Sequence, residues 1–66
     1  MSTYTDFGKE VKKRLIDMSK TQSWLFGRIA EETGLFVDSG YFHKIITGQR
    51  NAPKIVEAIK TILEMD

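Results

Sequence analysis

Apolar residues return at three- and four-residue intervals in four short runs, and helix-starting or helix-stopping residues stand between the runs. Phe7, Val11, Leu15 and Met18 predict a first helix from Phe7 to Met18, with Asp6 placed to cap it. Its outer face holds Lys9, Lys12, Lys13 and Arg14. Ser19 and Gln22 have the spacing of a capping box, with Thr21 as the rival cap. Leu25, Phe26, Ile29 and Ala30 then carry a second helix to a stop at Gly34. Asp38 can accept from the free N–H groups of a third helix that runs from Ser39 to Thr47. Its apolar side is Phe42, Ile45 and Ile46, and Gly48 supplies a left-handed stop. Pro53 suits the first turn of a fourth helix, where Ile55, Val56, Ile59, Ile62 and Leu63 make a wide apolar stripe. Lys54, Glu57, Lys60 and Glu64 face outward there, spaced to pair at i+3 and i+4.

No alternating pattern competes, because Leu35 to Val37 is too short to stand alone as a sheet. The expected fold is all-α, a compact four-helix arrangement in a single domain over residues 1–66. A chain of 66 residues buries only about 60% of the surface it exposes when unfolded, so its core is small and no deep catalytic pocket is expected. There is no cysteine for a disulfide or a thiolate zinc site, and the sole histidine, His43, lacks the partners to hold a metal. The reading is therefore of a protein that is not an enzyme and takes no cofactor, metal or small-molecule substrate. The opening MSTYTDFGKE has no basic start followed by an apolar run. No apolar stretch approaches the roughly 20 residues of a membrane span, so a soluble, cytoplasmic chain with no membrane partner is expected.

Net charge is only +1, and its distribution says more than its sum. Between Ser39 and Val56 stand His43, Lys44, Arg50 and Lys54 with no acid among them. Glu57, Glu64 and Asp66 gather at the C-terminal end, and Glu31 and Glu32 precede Gly34. A positive face with acids kept elsewhere is the footprint of a polyanion partner. Gly40, in the first turn of the third helix, costs up to about 1 kcal/mol against alanine, so something other than propensity favours it. Close approach to a partner backbone is one such reason.

TQSWL at Thr21 to Leu25, followed by SGYFHKIITGQRNAPKIVEAI at Ser39 to Ile59, resembles the XRE-type helix-turn-helix family of lambda-like repressors and Cro proteins. It is similar in particular to small regulators of phages and mobile elements of Gram-positive bacteria. The resemblance covers nearly the whole chain. It implies a sequence-specific, double-stranded-DNA-binding transcriptional regulator, repressor-like, acting as a homodimer. It also implies that Gln22 meets a DNA phosphate at the start of helix 2, and that helix 3 enters the major groove. Ser39, Gly40 and Lys44 then occupy the base-reading positions, with Tyr41 and His43 at the flanks. Gln49, Arg50, Asn51 and Lys54 hold the backbone, and Lys44 or Arg50 would be the residue to read guanine. Against the family pattern, the turn between helices 2 and 3 is longer by about six residues, ending in Leu35, Phe36 and Val37. The chain also reaches Asp66 without room for a fifth helix that often helps the dimer form.

Other readings attach to some of these residues. Asp38, Ser39 and His43 are the residue types of a hydrolytic triad, but a triad also needs an oxyanion site and a cleft, and Asp38 is explained as a cap. The run Lys9 to Arg14 reads as the wet face of helix 1, with a DNA contact as the alternative. Trp24 can cover the core edge or meet a partner, and Leu35 to Val37 can fold back on helices 2 and 3 or form a dimer patch. The alternatives to a regulator are a scaffold that binds another protein through Trp24, Leu35, Phe36 and Ile46, and an excision accessory protein that bends DNA.

Overall fold

In the computed structural model, which describes residues 4–65, four helices follow one another: α1 (Asp6–Asp17), α2 (Gln22–Thr33), α3 (Ser39–Ile46) and α4 (Pro53–Ile62). Residues 1–3 of the opening segment and Asp66 of the C-terminal acids lie outside the described residues. There is no strand among the described residues, and the fold is all-α.

The cap of α1 is Thr5, one residue before the expected Asp6. The Thr5 hydroxyl accepts from the Gly8 N–H at 3.0 Å and donates to the Ile46 carbonyl at 2.8 Å. A hydroxyl can do both at once and a carboxylate cannot. Asp6 instead sits in the first turn, where its charge suits the positive end of the helix dipole. The helix closes at Met18 rather than continuing through it. Lys20 N–H bonds the Leu15 carbonyl at 2.9 Å, Ser19 N–H bonds Ile16 at 3.0 Å, and Ser19 takes the left-handed φ of 57° that such a closure needs. Ser19 is thus an end residue of α1, and Thr21 caps α2 by accepting from Trp24 N–H at 3.1 Å. Gly34 ends α2 with φ 74°, and Asp38 caps α3 by accepting from Tyr41 N–H at 2.7 Å. Pro53 opens α4 as its first helical residue.

The apolar faces meet in one core. Val11 and Leu15 of α1, Leu25 and Ile29 of α2, Phe42, Ile45 and Ile46 of α3, and Ile55, Ile59 and Ile62 of α4 are buried together with Leu63. Each such side chain contributes about 1.5–3 kcal/mol of transfer free energy. Phe26 lies edge-on to Phe42 with ring centres 5.2 Å apart. Met18 is left 37% exposed because the chain reverses direction there. In α4 the stripe is rotated slightly from expectation, with Ala58 buried and Val56 half-buried.

α4 packs on α2, and α1 packs on α3. The second contact depends on Gly8, where a Cβ would collide with the Ile46 carbonyl oxygen and stand 2.9 Å from the Ile46 Cβ. Ion pairs among the described residues join Arg14 to Glu10 and Arg28 to Glu31 and Glu32. Among the described residues none forms between Lys54, Glu57, Lys60 and Glu64, contrary to their spacing. Glu64 lies beyond the end of α4 at a left-handed φ of 55°, which takes it out of helical register with Lys60.

Candidate nucleic-acid interface

α3 is short, and its two faces are sharply divided. Phe42, Ile45 and Ile46 are buried, whereas Ser39, Gly40, His43 and Lys44 are exposed and Tyr41 is half-buried. The Asp38 carboxylate accepts from the Tyr41 N–H and so caps α3, as its place in the sequence predicts. The N–H groups of Ser39 and Gly40 precede the first intrahelical bond and point out of the exposed end. Gly40 has room around it: a Cβ there would meet only Asp38 Oδ1, at an ordinary 3.5 Å. Among the described residues nothing requires glycine at that position.

The loop after α3 is folded back onto the helix it leaves. Gly48, at φ 82°, lets Gln49 N–H and Arg50 N–H both reach the Lys44 carbonyl, at 2.8 and 3.1 Å. The Thr47 hydroxyl donates to the His43 carbonyl at 2.8 Å and accepts from Gln49 Nε2 at 2.9 Å. The Arg50 guanidinium stands 5.7 Å from the centre of the Tyr41 ring, within cation–π range. Tyr41 and Lys54 line one open hollow of about 330 Å³ with Leu35, Ala52, Pro53 and Ile55. Tyr41 is thus met by Arg50 of the loop and shares a hollow with Lys54 of the first turn of α4, while Lys44 is tied to the loop through its carbonyl. Asn51 is exposed on the same loop.

Arg14 and Arg28 have carboxylate partners, whereas Lys44, Arg50 and Lys54, like Lys9, Lys12, Lys13, Lys20 and Lys60, form no ion pair among the described residues. Their charge remains available to an outside anion.

Gln22 stands apart from this cluster. It lines a separate hollow of about 240 Å³ at the start of α2, with Lys12, Leu15, Ile16 and Lys20. Lys20 is not marked out by the sequence. Lys12 belongs to the run read as wet surface, yet it is half-buried with its ammonium 4.5 Å from the Tyr4 ring centre. Lys20 lies over Trp24 at 5.2 Å, and Trp24 itself packs half-buried against the core. Tyr4 also meets His43 edge-on at 6.0 Å, so the segment before α1 leans on the exposed face of α3. The sequence clue for Lys12 was its place one residue after buried Val11 and three before buried Leu15, at the edge of the apolar stripe.

No helix of the described residues is long and apolar enough to cross a membrane. No family model, curated protein or solved structure matches the chain.

Proposed function

We propose that this chain is a sequence-specific double-stranded-DNA-binding regulator of the XRE type, working by occupancy of an operator as a homodimer. The observation that carries the reading is the union of an exposed helix end with unpaired cations. Ser39, Gly40 and Lys44 lie on the outer face of α3, and the loop bearing Gln49, Arg50 and Asn51 is bonded back to the Lys44 carbonyl. On this reading α2 and α3 are the helix pair, joined by a lengthened turn at residues 34–38, and α3 lies in the major groove. Side chains at its start read base edges, while Arg50, Lys54, Gln49 and Asn51 hold phosphates. Tyr41 supports the Arg50 guanidinium, and His43 lies at the flank. Gln22, with Lys12 and Lys20 beside it, meets the backbone at the start of α2.

Fluorescence anisotropy with a duplex found by selection from random sequences tests this directly. With about four to six phosphates contacted per protomer, log affinity of the dimer falls with log salt at a slope on the order of −7 to −11. A selected site holding two half-sites about 34–36 Å apart agrees with the dimer. A slope near zero, or binding that is the same in wild type and Arg50→Glu, overturns the reading in favour of a scaffold that binds another protein.

A further inference from the structure

A carboxylate holds a cation in place but offsets its charge, whereas an aromatic ring holds it and leaves the charge and most of its N–H donors free. Both kinds of partner occur among the described residues. Arg14 and Arg28 are bonded to glutamates. Lys12, Lys20 and Arg50 lie instead over rings: Lys12 over Tyr4 at 4.5 Å, Lys20 over Trp24 at 5.2 Å and Arg50 over Tyr41 at 5.7 Å. Two of these three, Lys12 and Lys20, line one hollow with Gln22, Leu15 and Ile16, and no acid lines it. The rings over which they lie are carried on fixed backbone. Thr5, next to Tyr4, is bonded twice to the Ile46 carbonyl, and the Trp24 N–H donates to the capping Thr21 hydroxyl. Lys20 is fixed as well, with its N–H on the Leu15 carbonyl at 2.9 Å. Tyr4 and Trp24 are both half-buried against the core, so each ring offers a settled face.

We propose that Tyr4 and Trp24 are positioning residues, which seat Lys12 and Lys20 beside Gln22 as a preformed clamp for a backbone phosphate. A lysine that grips an anion from solution gives up much of its rotamer freedom, and that loss subtracts from affinity. A lysine already seated on a ring has given up part of that freedom in the folded chain. Its ammonium still has donors to spare, because the ring occupies only one side of a group that carries three. Leu15 and Ile16 add no acceptor to the hollow that would compete for them. The assignment extends to the start of α2 what Tyr41 does for Arg50, so all three ring-seated cations belong to the surface given to phosphate. It also accounts for Trp24 without a protein partner. The ligand rests on the DNA-binding reading, but the seating itself is measured without DNA, so the two fail separately.

Nuclear magnetic resonance of the free full chain reads the seats. The ε-methylene protons of Lys12 and Lys20 lie upfield of those of the other lysines, shielded by the ring faces, and they return in Tyr4→Leu and Trp24→Leu respectively. Anisotropy with a random duplex at low salt reads the consequence. Tyr4→Leu and Trp24→Leu, which leave every charge in place, weaken binding about threefold to tenfold, and Tyr4→Phe, which keeps the ring face, binds as wild type. Tyr4 also meets His43, at 6.0 Å, so the deciding comparison is made in a Lys12→Met background, where Tyr4→Leu costs nothing further. Lys20→Met absorbs the Trp24→Leu loss in the same way. Circular dichroism checks that each variant is helical, and the wild-type proton shifts decide the seating even where a ring variant does not fold. Unshifted ε protons on either lysine overturn the proposal, as do ring-variant losses of equal size with and without the lysine. Duplex binding that responds to Arg50→Glu but to neither ring variant overturns the seats and leaves the DNA-binding reading standing. No duplex binding at all overturns both.

Discussion

The carbonyl oxygen of Ile46 accepts from both the backbone N–H and the hydroxyl of Thr5, at 3.0 and 2.8 Å. A carbonyl in the last turn of a helix has no intrahelical donor, so the residue before α1 completes the end of α3. Because the same hydroxyl caps α1, one side chain ties together the start of one helix and the end of another. Thr5→Ala lowers stability by about 1–2 kcal/mol, the sum of a lost cap and a weakened carbonyl partner. Thr5→Ser retains most of it. Urea unfolding followed by circular dichroism reads the difference, and equal midpoints for wild type and Thr5→Ala would show that the link contributes nothing.

Two helical glycines should respond to the same substitution with opposite signs. Gly27 is exposed in the middle of α2, and a Cβ there would meet nothing within 4 Å. Gly27→Ala raises stability by about 0.5–1 kcal/mol through backbone entropy alone. At Gly8 the added methyl runs into the Ile46 backbone, which Thr5 holds in place. Overpacking of this kind costs about 1–3 kcal/mol, more than alanine's helix propensity returns. Thermal melts of the two variants should therefore move in opposite directions, and a stabilised Gly8→Ala would mean that α1 and α3 can separate freely.

The helices were legible because their apolar spacing and three of their punctuation marks are unambiguous. Gly34 and Gly48 take the left-handed φ that stops a helix, and Pro53 starts one. Ser19 was not legible. It takes the same left-handed conformation as those glycines while carrying a side chain that advertises a cap, so the sequence suggested a helix start where the chain in fact closes α1. The Thr5 cap was hidden for a different reason. Its choice over Asp6 depends on Ile46, 41 positions away, and long-range partners leave no local pattern. Within the candidate site, α3 and its loop could be read as one segment, but the Tyr41–Arg50 contact and the grouping of Gln22 with Lys12 and Lys20 could not. Both depend on the way the chain doubles back.

Lys44 and Lys54 are assigned different tasks and should fail differently. Lys44 is exposed on α3, and Lys54 is exposed on the first turn of α4. A residue that reads a base edge carries about 1–3 kcal/mol of discrimination, whereas a phosphate contact carries none. Lys44→Ala therefore relaxes preference at one half-site position. Lys54→Ala weakens operator and random duplex alike and reduces the salt slope by about 1 per site. Parallel losses on all sequences for both variants would remove Lys44 from the reading role.

Gly40 separates the demands of the fold from those of a ligand. Its φ is not left-handed, and a Cβ would find only Asp38 Oδ1 at 3.5 Å, so the folded chain gains nothing from glycine at this point. Alanine there improves α3 by up to about 1 kcal/mol, as at Gly27. The two positions differ in what the proposed function puts outside them: Gly40 is in the exposed first turn of α3, the helix end that this proposal directs into the major groove. On that proposal a methyl group there would stand between the helix backbone and the DNA and push neighbouring contacts apart. Gly40→Ala should therefore melt at a higher temperature than wild type yet bind the operator about tenfold or more weakly. Gly27→Ala should melt higher and bind unchanged. Anisotropy titrations and thermal melts on the same preparations measure both quantities. If Gly40→Ala gains stability with no loss of binding, the N-terminal end of α3 does not approach DNA closely.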